Sequence, residues 1–220
     1  MVAALSPLRF AHVMFTCSRP KIIITAVLAA TWIAALGYGM RVLLKYETTP
    51  GTSGAVISSW PIDSKATRHH GKPMLVMVAH PHCPCTRASV AELAKIMAHA
   101  PDGVTATVLF VKPLGAGAEW DDTDLRRTAA AIPGVTVQTD ENGVEAARLG
   151  AQTSGHTLVF DRAGKLLFSG GITATRGHIG DNAGENAALA ALKEQGPEVG
   201  QTAVFGCSLA NRNPTGKDKP

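Results

Sequence analysis

The chain has 220 residues, room for one core of ordinary size plus appendages. An apolar fraction of 45% against 17% charged residues excludes a highly charged disordered protein and points to a membrane segment. The net charge of +4 is scattered, with no basic stripe interleaved with aromatics, which argues against a nucleic-acid binder, and four cysteines are too few for a disulfide-built scaffold.

Arg9, Arg19 and Lys21 lie near the N-terminus, and residues 1–20 hold no acid. An uncharged run follows from Ile22 to Met40, long enough for a tilted helix to cross a hydrocarbon core of roughly 30 Å. Arg41 and Lys45 come next, yet the basic leading flank favours an N-terminus on the cytoplasmic side. The run exceeds a usual signal-peptide core, and no small-x-small site ends it. We expect a cytoplasmic segment over 1–20 and an uncleaved transmembrane anchor over 21–45, embedded through residues 22–44. Cys17, ahead of the run, reads as a bland apolar residue. Residues 46–70 contain Thr48-Thr49-Pro50-Gly51-Thr52-Ser53-Gly54 and are expected to be a flexible linker, its His69 and His70 solvated.

From Gly71 the elements alternate. A buried strand is predicted over 74–79, then a helix over 86–98 closed by Pro101-Asp102-Gly103. A strand over 104–111 follows, then a helix with an acidic first turn over 121–131, a short strand over 135–137 and a short helix over 142–149. Residues 157–160 and 165–168 read as a hairpin, and 181–195 as a last helix capped by Asp181 or Asn182. This order predicts an α/β three-layer sandwich over 71–196, with a tail over 197–220 that carries Cys207.

The chemistry concentrates in His80-Pro81-His82-Cys83-Pro84-Cys85-Thr86, between the first strand and its helix. A helix start presents unpaired N–H groups and the positive end of the macrodipole, so a thiolate there has a depressed pKa. We expect an accessible pair, with Cys83 as nucleophile, Cys85 as resolving thiol, and His80 and His82 raising the thiolate fraction when protonated. Pro84 narrows the backbone choices, and a ring closed over so few residues would be strained and easily reduced. Two soft sulfurs plus an imidazole equally suit Cu(I) or Zn(II). Cys207 is either a third thiol, resolving or ligating, or a free cysteine of the tail. Asp121-Asp122-Thr123-Asp124 reads as an acidic helix start rather than a cation site.

A cysteine pair at a helix start, a βαβ crossover, then a hairpin and helix resembles the thioredoxin fold over residues 71–195. Trp60-Pro61 and Gly71-Lys72-Pro73 are similar to the lead-in of membrane-tethered thioredoxins of bacterial envelopes. The string His80 to Ser89, with Gly170-Gly171-Ile172-Thr173 and Arg176 to Asn182, resembles the RedB-like bacterial proteins. Two departures stand out: one residue instead of two between the cysteines, and His156 where the family has a cis-proline. A cis bond ahead of a non-proline costs about 3 kcal/mol, so a trans bond is expected there.

The resemblance implies that His156 faces the cysteines and that Arg176 and His178 rim the site, with Arg87 beside it; the tail from Gly196 is long enough to bring Cys207 there as well. His156 ahead of Thr157-Leu158-Val159-Phe160-Asp161 is also similar to Sco-type copper chaperones, which implies a Cys83, Cys85 and His156 copper set as the alternative. The expectation is an oxidoreductase in a bacterial inner membrane, single-pass, its domain periplasmic. It would exchange thiols and disulfides with envelope proteins and require no cofactor. A metallochaperone, or a fold remnant without chemistry, are the other classes.

Overall fold

The structure, a computed structural model, describes residues 19–195 and 200–209. The expectations for Cys17, for most of the 1–20 segment and for the end of the tail lie outside those residues. The chain divides into two compact units, Met1–Leu44 and Lys45–Pro220. In the first, α1 (Arg19–Thr48, running on into the second unit) is long and apolar enough to cross a membrane and buries none of its residues. Two of its hydroxyls are satisfied within the helix: Thr25 and Thr31 each donate to the carbonyl four residues back at 2.9 Å.

The second unit is built on β1 (Met74–Ala79), buried along its whole length. Met-Leu-Val-Met-Val-Ala shows no polar alternation because both faces of this central strand are covered. It runs parallel to β2 (Thr105–Lys112) and antiparallel to β4 (His156–Phe160). With β3 (Val135–Glu141), β5 (Leu166–Gly170) and β6 (Gly200–Gln201), the sheet order is β3-β2-β1-β4-β5-β6. The predicted strand over 135–137 continues to Glu141, since pairing with β2 persists to Lys112. β6 was not expected; it adds two residues to the outer side of β5.

One face of the sheet is covered by α2 (Thr86–His99), α3 (Asp124–Ala130) and α5 (Ala183–Leu192). Val90, Leu93 and Ile96 of α2 meet Leu75, Met77, Phe110 and Phe168 there. The spacing of those α2 residues keeps them on one helical face. Asn182 is the α5 cap, its side chain accepting from Glu185 N–H at 2.9 Å. The helix expected over 121–131 divides in two. Ala118–Asp121 is a 3₁₀ turn, and Thr123 caps α3 by accepting from Arg126 N–H. Asp121 is drawn instead to Arg126 at 2.6 Å and to Thr139 on β3.

The opposite face carries one short helix, α4 (Val144–Arg148), so chain outside the helices must complete that layer. Ile57, Trp60, Ala66 and Leu209 do so, packing with Val76, Leu158, Phe160 and Leu166. The architecture is a thioredoxin-like α/β/α sandwich with one thick and one thin outer layer. The expected flexible linker over 46–70 is therefore a docked segment. Trp60 stands edge-on to Phe160 at 5.2 Å, Trp60 N–H donates to Gly164 O, and Leu166 N–H donates to Ser58 O. Thr67 N–H donates to the Gln138 side chain on β3, so the segment also clasps that edge. Burying a tryptophan and an isoleucine outweighs the freedom a Gly-Ser-Thr composition offers.

Replacing Trp60 with Ala should lower the unfolding free energy by about 2 kcal/mol in urea titration of the full chain in detergent. A linker role would leave it unchanged.

Candidate functional site

Three pieces of backbone converge at the C-terminal end of β1. The first is the turn from β1 into α2, where Cys83 N–H donates to His80 O, Thr86 N–H to Cys83 O and Ala88 N–H to Cys85 O. The helix thus starts at Thr86, with Cys85 in the cap position. The second is the approach to β4. Ser154 Oγ accepts from His80 N–H at 2.7 Å and shares a 2.6 Å hydrogen bond with Thr86 Oγ1. One hydroxyl therefore joins the end of β1 to the start of α2. Gly155, at φ +90°, lets the chain turn there, and its N–H donates to Val78 O.

The third piece is the C-terminal segment. Ser154 N–H donates to Cys207 O at 2.8 Å and Leu209 N–H to Gln152 O at 2.9 Å, around a bridge between Thr153 and Ser208. Gly206 passes so close that a Cβ there would strike the Ser154 carbonyl. This pairing sets Cys207 Sγ 2.9 Å from Cys83 Sγ. That is well beyond the roughly 2.05 Å of a covalent bond, and Cys83, Cys85 and Cys207 are all free thiols. Arg176, from the loop after β5, holds the segment: its guanidinium donates to Gly206 O, Tyr46 O and Thr49 O and lies 5.0 Å over the Tyr46 ring.

The three sulfurs differ in protonation. Burial works to raise the Cys83 thiol, but hydrogen bonds to its sulfur from Cys207 and Thr86, side chain and backbone alike, hold it below the ordinary value. Cys85 is pushed up by burial and by the neighbouring Cys83, partly offset by Arg176. Cys207 is pushed up to about 12 by burial and by donating to the charged Cys83. Of the three sulfurs, Cys83 is the one whose ionisation its surroundings favour, with Cys207 as its hydrogen-bonding neighbour.

Several expectations need correction. The pair is not perched in solvent: Cys83 is 2% exposed and Cys85 8%, because the tail segment packs over them. Cys83 still forms part of the wall of a cleft of about 220 Å³, with His82, Pro84, Arg87 and Asp124. Arg87 is engaged there in a 2.6 Å ion pair with Asp124. Burial and the adjacent His82 lower the His80 pKa, which works against a charged imidazole beside Cys83. The two rings instead group with Trp120, His82 at 4.7 Å and His80 at 6.0 Å. His178 is exposed in the loop after β5.

His156 is buried, and its Nε2 lies 2.9 Å from Ser169 Oγ on β5. Its Nδ1 has no hydrogen-bond partner among the described residues, and burial pushes its pKa down to about 4. Among the described residues no group of three His, Cys, Asp or Glu side chains is placed to hold a metal ion, so the expected Cys83, Cys85 and His156 set does not assemble. Antiparallel pairing of β4 with β5 gives the imidazole a hydroxyl partner instead. No peptide bond among the described residues is cis, as expected ahead of His156.

Sequence reasoning placed Cys83, Cys85, Arg176 and Cys207 in one neighbourhood and missed Thr86, Ser154, Trp120 and Asp124. Thr86 had a usable signal: a hydroxyl at the first helical position, next to the cysteines. Ser154, whose partners are 68 and 74 residues distant, had none.

No known protein-family model matches this chain, and no curated protein does. Among solved structures it is similar to an uncharacterized conserved protein from Geobacillus kaustophilus, at 20% identity and a TM-score of 0.52, over 75% of this chain and 93% of that one. It is similar also to a hypothetical protein from Sinorhizobium meliloti 1021, at 21% identity and a TM-score of 0.50, over 74% and 94% of the two chains. A secreted disulfide oxidoreductase of Mycobacterium tuberculosis overlaps more loosely, at 15% identity and a TM-score of 0.39, over 57% and 83%. The likeness to the first two is one of fold.

Two outcomes test the geometry. Thr86→Val removes a donor to Cys83 and should move the pH midpoint of Cys83 alkylation upward, read by iodoacetamide labelling and peptide mass. For His156, the unfolded chain takes up a proton as pH falls below about 6.5, while the folded one resists until about 4. Stability present above pH 6.5 is therefore lost on acidification, by about 3 kcal/mol at pH 4. His156→Gln should remove that part of the slope in urea titrations.

Proposed function

We propose that the protein is a membrane-anchored thiol–disulfide exchange protein, its domain facing the periplasm and its attacking group Cys83. The observation that carries this reading is the setting of Cys83: two residues before the α2 cap, its sulfur hydrogen-bonded by Thr86 and Cys207 and held below the ordinary thiol pKa, in a residue that lines a cleft. A buried thiolate that merely filled space would be costly, whereas a nucleophile needs its lowered pKa. The partners are proteins of the cell envelope that bring a disulfide or thiol within reach of the cleft.

In the forward direction the Cys83 thiolate attacks one sulfur of the partner's disulfide. That S–S bond breaks, a Cys83–partner disulfide forms, and the partner's other sulfur leaves as a thiolate, which takes a proton from water. A second thiol of this chain then displaces the partner. Two electrons pass to the partner, and the chain ends with one disulfide. The periplasmic orientation rests on the basic flank before α1, and an oxidising compartment suits a chain that cycles through a disulfide.

The test uses the full chain in detergent micelles, equilibrated across glutathione buffers and read by mass after alkylation of free thiols. Cys83 should pass between thiol and disulfide, and Cys83→Ser should abolish exchange while the fold survives. A wild-type chain whose cysteines stay fully alkylatable in every buffer would end this reading.

A further inference from the structure

We infer that Cys207, and not Cys85, is the thiol that resolves the Cys83 mixed disulfide, and that the segment carrying it is a strap that becomes covalently closed over Cys83 in the oxidised protein. This rests on the exchange reading above and assigns its second step.

The sulfur contact is the first argument. Cys83 and Cys207 are 124 residues apart in sequence, yet their Sγ atoms lie 2.9 Å apart. That proximity is built rather than incidental. The segment is paired by backbone to Gln152 and Ser154, it passes Ser154 at the only kind of residue that fits there, and Arg176 clasps the Gly206 carbonyl. Cys85 also interacts with Cys83, but it shares its hydrogen bonding with the guanidinium of Arg176.

The second argument is access. The cleft that reaches Cys83 is walled by His82, Pro84, Arg87 and Asp124, and Cys207 is not part of that wall. A partner disulfide that approaches Cys83 from this cleft would leave Cys207 in its place beside it. The resolving thiol then needs no rearrangement to reach its target.

The third argument concerns charge. Cys207 is held protonated by burial, and further by donating to Cys83 and feeling its charge. Once Cys83 enters a mixed disulfide, the two influences of Cys83 lapse, leaving burial alone against Arg176, which continues to favour a Cys207 thiolate. The first step therefore prepares the second. Cys207 gives its proton to water, and its thiolate attacks Cys83 Sγ. The Cys83–partner bond breaks, the Cys83–Cys207 bond forms, and the partner leaves as a thiolate that is then protonated. An external dithiol returns the chain to its reduced form, itself becoming a disulfide. In between, the 83–207 link closes a loop long enough to stabilise the oxidised fold and covers the nucleophile.

The experiment takes reduced full-length protein in micelles and oxidised glutathione as the disulfide, followed by non-reducing peptide mass mapping. Wild type should release two equivalents of reduced glutathione per chain and show a Cys83–Cys207 linked peptide pair. Cys207→Ser should stop at glutathione on Cys83 with one equivalent released. Cys85→Ser should still complete the exchange. A Cys83–Cys85 link in wild type, completion by Cys207→Ser, or a stall in Cys85→Ser overturns the assignment and leaves the exchange function standing. No glutathione on Cys83 in any of the chains overturns both.

Discussion

A negative charge on a buried sulfur is tolerable only where donors surround it, and this requirement organises the upper end of the sheet. Cys83 is 2% exposed, so water contributes little to its solvation. The replacement donors come from the first turn of α2 through Thr86 and from the C-terminal segment through Cys207. Each is itself anchored. Thr86 shares a hydrogen bond with Ser154, and the same Ser154 binds Cys207 through its backbone. The approach to β4 is thus a common support for nucleophile, helix start and tail.

That support needs the central position of β1. Strands β2 and β4 flank it on both sides, so its end cannot shift without breaking two ladders. The turn that follows carries the cysteines into α2, whose apolar face is locked against Leu75, Met77 and Phe110. Rigidity of this kind keeps a sulfur and its donors in register to a few tenths of an ångström, the tolerance a hydrogen bond demands.

The chain flanking the sandwich belongs to the fold. Residues 57–66 finish a layer that α4 is too short to cover, and residues 200–209 add a strand and then lie over the site. Arg176 draws Tyr46, Thr49 and Gly206 to one guanidinium, which ties the start of the second unit to the segment that bears Cys207. Arginine suits this task, since its fork of donors can serve several carbonyls while its plane stacks on an aromatic ring.

Local pattern in the sequence determined what depends on neighbours along the chain. The buried strand before the cysteines, the helix starting at Thr86, the Asn182 cap, the apolar span of α1 and the three-layer α/β order follow from hydrophobic period and capping residues. Only the tertiary structure decided that Ser169 is the hydrogen-bond partner of His156, that Trp60 docks a segment of linker composition, and that Cys207 rather than solvent meets Cys83. These are contacts between residues far apart in sequence. Which of several polar groups meets which depends on strand register and loop path, and those are fixed by packing over the whole domain.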